Sequence, residues 1–250
     1  MTRAFCVAAL LAAAVPLSAQ RGPAASSSNL PANVLALACA PALAYEAPPM
    51  PLHITGGQDT IVRRNYAPGD LVTINAGTQN GITVGQEFYI RRVQPAERTP
   101  VTPATPGVIR TAGWLRVYAV DDAMSLATIE HACDAIEVGD YLEPFALPQP
   151  PTVSEDKPKA ERDNYAHVMP GTDRRRSFGK GDFFVIDRGS SQGVTPGAQF
   201  VVYRDKHQAQ NFLFELGEAV AVDVKQDTAT LQVTLSRDAF MEGDYVAQRR

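Results

Sequence analysis

The stretch GDLVTINAGTQNGITVGQEFYIRR, from Gly69 to Arg92, returns as GDFFVIDRGSSQGVTPGAQFVVYR between Gly181 and Arg204, ungapped and at a constant offset of 112 residues. Nine of the 24 aligned positions are identical, including Gly69/Gly181, Asp70/Asp182, Gly77/Gly189, Phe88/Phe200 and Arg92/Arg204. An internal duplication of this kind means that each copy is a structural unit with its own core. It splits the 250-residue chain into two small domains rather than one large one.

The duplication extends in both directions. Upstream, His53/His167, Gly57/Gly171 and Asp59/Asp173 keep an offset of 114, and Arg63/Arg175 and Arg64/Arg176 an offset of 112. Downstream, Gly113/Gly217, Val120/Val224, Asp140/Asp244 and Tyr141/Tyr245 keep an offset of 104. The fall from 112 to 104 places eight extra residues in the first copy, within Val93 to Ala112, which reads as a proline-studded hairpin loop.

Leu71 to Asn75 and Phe183 to Asp187 are short β-rich runs followed by spaced glycines, which predicts strands joined by turns. In the second copy Ala229, Leu231, Val233 and Leu235 alternate with polar residues, the period-two pattern of a strand with one buried face. By the same alternation Val220, Val222 and Val224 should face inward. Their first-copy counterparts are Arg116, Tyr118 and Val120, and a one-residue bulge would instead turn Leu115 and Val117 inward. His131 falls where Leu235 would point inward, and is read as a rim residue beside Cys133 in preference to a ligand or an acid–base group.

Residues 1–19, MTRAFCVAALLAAAVPLSA, have the charge, short apolar run and small-residue end of a secretory signal peptide. The run is shorter than the ~20 residues a membrane span needs. Residues 20–52 form an Ala/Pro-rich segment, flexible at its start and then too apolar to stay in water, expected to lie extended along the first unit. The first repeat occupies 53–147 and the second 167–250. Between them, 148–166 is rich in proline and charge and reads as an interdomain linker.

Removal of a signal peptide takes Cys6 with it and leaves Cys39 and Cys133. In an oxidising compartment these suggest one disulfide between the N-terminal segment and the first repeat; the alternative is two buried free thiols. With no Cys-x-x-Cys and with His53, His131, His167 and His207 scattered, no metal site is expected. A formal net charge of −4 without a long basic stripe argues against nucleic acid.

No nucleophile elbow, phosphate loop or dinucleotide fingerprint is present, so no catalytic residue and no cofactor are assigned. The repeated acids Asp70/Asp182 and Asp140/Asp244 each follow glycine, where a carboxylate caps backbone amides of a turn. Two basic clusters, Arg63–Arg64 and Arg174–Arg175–Arg176, are the candidate partner-binding residues, weighed against a role as solvated charges on an edge strand.

The pattern of Gly-Asp, Ile/Val, the three spaced glycines, Phe88/Phe200 and the final Gly-Asp-Tyr resembles the small β-barrel modules that follow LysM domains in bacterial envelope proteins. It is also similar to the C-terminal domain of the flagellar assembly protein T family. The resemblance implies an all-β fold of two tandem small β-barrels, and a periplasmic or extracellular, non-enzymatic binding or scaffolding role toward an envelope protein. A glycan- or peptidoglycan-binding module is the first alternative and a carboxylate-based hydrolase the second. The chain departs from those proteins in having no LysM domain of its own.

Overall fold

In the computed structural model the described residues are 30–44, 46, 48–59, 63–95, 107–169, 175–205 and 212–250. The expected signal peptide and Arg174 lie outside them. The chain is all-β apart from one short α-helix among these residues. The elements are α1 (Ala32–Ala38), β1 (Ala42–Ala44), β2 (Ile54–Gly57), β3 (Leu71–Ile74), β4 (Glu87–Pro95), β5 (Gly107–Val120), β6 (Ser125–Ala132) and β7 (Tyr141–Pro144). They continue with β8 (Ala166–His167), β9 (Ser177–Phe178), β10 (Phe183–Ile186), β11 (Gln199–Asp205), β12 (Leu213–Val224), β13 (Ala229–Ser236), β14 (Phe240–Met241) and β15 (Tyr245–Gln248).

The first sheet runs β2-β3-β6-β5-β4-β7, with β1 added alongside β5; the second runs β10-β13-β12-β11-β15-β8. All pairings are antiparallel, and the run β3-β6-β5-β4-β7 is matched strand for strand by β10-β13-β12-β11-β15, whereas β2 pairs beside β3 and its counterpart β8 beside β15, at the opposite edge. The edges of each sheet approach one another through single bridges: His53 meets Tyr141 in the first, and Val168 meets Ile186 in the second. The small pair β9–β14 of the second copy has its counterpart in the Tyr66–Ile136 bridge of the first.

The two cores correspond residue for residue. Ile54, Val72, Phe88, Ile90, Leu115, Ala127, Ile129 and Leu142 fill one. Val168, Phe184, Phe200, Val202, Ala219, Leu231, Val233 and Val246 fill the other at the equivalent positions. Burial of such apolar surface is the main stabilising contribution to each unit. Gly77 and Gly189 are needed for close packing rather than for unusual torsions. A Cβ on Gly77 would lie 2.1 Å from the Asp121 carbonyl oxygen, and one on Gly189 2.3 Å from that of Lys225.

Bulges decide which strand residues face inward, and here two expectations change. Opposite β13, β12 shifts register between Glu218 and Ala219 and again between Ala221 and Asp223. The inward residues are therefore Ala219, Ala221 and the half-buried Val224, which packs against the core as expected, while Val220 and Val222 are not part of that core cluster. Leu235 lies beyond the first shift and is 38% exposed, so the alternation that starts at Ala229 ends at Val233. In the first copy the equivalent bulges turn Leu115 and Val117 inward and leave Arg116 on the other face.

The proline-rich loop of the first copy is narrower than its sequence implies. β4 runs on to Pro95 and β5 begins at Gly107, because the extra backbone pairs as a hairpin and β1 adds to β5 at Gly107–Ile109. Residues 96–106, the remainder of that loop, are outside the described set.

The N-terminal segment is the joint of the molecule. α1 ends at Cys39, which is disulfide-bonded to Cys133 at the end of β6. Pro41 accepts a buried hydrogen bond from Thr230 of the second copy (2.8 Å), and Leu43 packs among Val108 of the first copy and Val185 and Met169 of the second. The linker also has a fixed course. Residues 154–161 lie along β11 and β15: Gln199 donates to the carbonyls of Ser154 and Asp156, and Glu161 N–H donates to the Gln248 carbonyl. Tyr165 and Ala160 cover the outer cluster of Val201, Tyr203 and Ala247. In the first copy α1 does the same for the equivalent outer face, where Ala38 packs with Tyr89 and Trp114.

Candidate functional site

The four described arginines among those proposed for partner binding, Arg63, Arg64, Arg175 and Arg176, separate by position. Arg63 donates to Asp70 (3.1 Å) and pairs with Asp59 (2.6 Å), and Arg175 donates to Asp182 (2.8 Å). The same two aspartates accept turn amides, Asp70 from Ala67 and Asp182 from Gly179, each at 2.9 Å. Arg63 and Arg175 thus brace the turn that opens the repeat's first core strand. Arg64 and Arg176 are exposed and form no ion pair among the described residues. Arg64 lines a shallow groove with Thr55, Asn65, Tyr66 and Glu137.

A second duplicated pair is buried more deeply. Arg92 grips Asp140 through Nε (2.6 Å) and Nη2 (2.8 Å), and Arg204 grips Asp244 through the same atoms (2.7 and 2.6 Å). Each aspartate also accepts a turn amide, from Glu137 and Met241, and each arginine donates to a nearby carbonyl, of Ala135 and Ala239. A two-pronged guanidinium–carboxylate contact of this kind is a strong, directional hydrogen-bonded pair. All four repeated acids therefore have a local architectural partner.

The copies differ at the surface formed by α1, β5 and β6. Arg116 pairs with Glu87 (2.7 Å) and Glu130 (3.4 Å), where the second copy has the apolar Val220. His131 stacks on Trp114 with ring centroids 4.5 Å apart and planes tilted by 24°. Trp114 is fully buried, with Tyr89, Phe145, Ala38, Cys39 and Cys133 around it, and its indole N–H has no hydrogen-bond partner among the described residues. Burial lowers the His131 pKa and favours the neutral imidazole. One ring nitrogen of His131 and the sulfurs of Cys39 and Cys133 all lie within 4.8 Å of one another.

His131 is thus beside Cys133 and Cys133 is bonded to Cys39, both as the sequence implies, but Trp114 completes a cluster that the sequence does not reveal. The available signal was the His-x-Cys spacing in 131–133, which spans the end of β6 with Cys133 in the bend just past Ala132. The third member comes from a segment 94 residues away from Cys133. No family model matches the chain, and no curated protein matches it.

Proposed function

We propose that the protein is an exported, non-enzymatic envelope protein in which two tandem small β-barrels serve as a rigid binding or scaffolding element for a protein partner. The observation that carries this reading is the duplicated use of charge. Asp70/Asp182 and Asp140/Asp244 are each tied to an arginine and to a turn amide in their own copy. What the duplication repeats is therefore construction, and chemistry needs groups that are free to meet a substrate. The edge-to-edge bridges at His53–Tyr141 and Val168–Ile186 support reading each sheet as a small barrel. The Cys39–Cys133 disulfide supports an oxidising, exported location.

On this reading the partner meets the exposed Arg64 and Arg176, which occupy equivalent places on the two copies. The test is in-cell crosslinking of the wild type and of an Arg64→Glu/Arg176→Glu variant, alongside binding of both to isolated cell-wall sacculi. The expected result is a protein adduct that is lost in the variant, with no retention on sacculi. Retention on sacculi without a protein adduct would replace the scaffold with a glycan-binding module.

A further inference from the structure

We infer that the reduced form of the protein holds a thiophilic metal ion between Cys39, Cys133 and His131. Three donor atoms, two soft sulfurs and one borderline imidazole nitrogen, meet within 4.8 Å, and the backbone at both cysteines has hydrogen bonds of its own besides the disulfide. Cys39 closes α1 through its N–H to the Leu35 carbonyl (3.2 Å), and Cys133 N–H donates to the Ala112 carbonyl (2.8 Å). The Cys39 and Cys133 Cα atoms are 5.6 Å apart. Two thiolates on one tetrahedral ion sit about 3.8 Å from each other, a separation that side-chain rotation reaches from this backbone.

His131 completes the set. It sits on β6 two residues before Cys133, which follows the strand's end at Ala132, and the Trp114 ring stacked against it limits its swing. The surroundings are aromatic and aliphatic, from Trp114, Tyr89, Phe145 and Ala38, and no carboxylate belongs to the donor cluster. Two sulfurs and one imidazole without oxygen ligands suit Cu(I) or Zn(II) and not Mg(II) or Ca(II). The second copy has Leu235 and Arg237 at the positions equivalent to His131 and Cys133, so the site belongs to the first copy alone.

In the disulfide form the two sulfurs are bonded to each other and the site is closed. A dithiol reductant opens it by supplying two electrons and two protons. The sulfur–sulfur bond breaks, the reductant closes into its own disulfide, and both cysteines are released as thiols. The incoming ion then displaces the two thiol protons to solvent.

Trp114 is the chain's single tryptophan, so its emission reports directly on His131. The experiment uses the purified protein, reduced with dithiothreitol and desalted without oxygen, then titrated separately with Cu(I) and Zn(II) while Trp114 emission is followed. Oxidised protein and Mg(II) serve as controls. The expected result is binding of one ion per chain by at least one of the two metals, with a change in Trp114 emission and no response from the oxidised form. His131→Gln keeps the disulfide and hence the oxidised fold. After reduction it should bind at least about tenfold more weakly, as loss of even outer-shell partners costs 10–100-fold. Far-ultraviolet circular dichroism of the reduced proteins separates lost binding from lost folding. The inference is overturned if the folded, reduced wild type binds neither ion at one per chain, or if His131→Gln binds as tightly as wild type.

Discussion

At the scale of single residues, stability concentrates in the two duplicated Arg–Asp grips. Asp140 and Asp244 are 2% and 5% exposed, and each holds a guanidinium fork and a turn amide together. Replacing one by Asn removes the buried counter-charge and leaves the arginine only its more exposed partner, Glu137 for Arg92 (3.1 Å) and Asp238 for Arg204 (3.9 Å), a loss on the order of 2 kcal/mol. Asp70 makes similar contacts closer to solvent, and Asp70→Asn should cost about 1 kcal/mol. Urea unfolding of the three variants checks this order, and equal losses would contradict it. The four residues of the buried grips stand out in the sequence because they are identical in both copies. Their pairing does not, since Arg92 and Asp140 are 48 positions apart and meet only when β4 lies beside β7.

At the scale of elements, the linker is strapped down by one carboxylate. Glu218 on β12 accepts from Lys157 (2.6 Å) and from Arg249 (2.9 Å), and Arg249 in turn donates to the Pro158 carbonyl. The hydrogen bond from Lys157, reinforced by the charges of Lys157 and Arg249, holds the Glu218 carboxyl below its ordinary range. A carboxyl whose pKa is depressed on folding contributes stability above its unfolded pKa, and that contribution is lost as pH falls through the folded pKa. Glu218→Gln should therefore melt below wild type at neutral pH, with a difference that shrinks as pH drops below the usual glutamate range. It should also speed tryptic cleavage after Lys159 severalfold. A melting difference that persists unchanged into acid would refute this role. The prolines and charges of 148–166 mark a connection but carry no sign of the strap. That contact depends on Lys157 meeting a strand residue 61 positions later.

At the scale of the whole molecule, the N-terminal segment ties the two copies into one body. The disulfide closes a separation of 94 residues, a loop for which the chain-entropy gain is about 4–5 kcal/mol. Leu43 and Pro41 extend the tie to the second copy. Calorimetry should show coupled unfolding of the two copies in the wild type. In Leu43→Ala/Thr230→Val, which removes the apolar contact and the hydrogen bond at the junction, the unfolding should separate into two transitions; a single unchanged transition would argue against the junction. The sequence by itself determined the duplication, the all-β class, the turn glycines and the pair of cysteines, because these are written in short-range spacing and composition. Tertiary structure alone decided that Val222 and Leu235 turn away from the core, since a bulge shifts facing by one residue without a mark in the alternation. It alone also set Trp114 against His131 and the expected cysteine pair. Trp114 is far along the chain from Cys39 and joined to His131 by no local pattern, and only closure of β5 and β6 against α1 makes them neighbours.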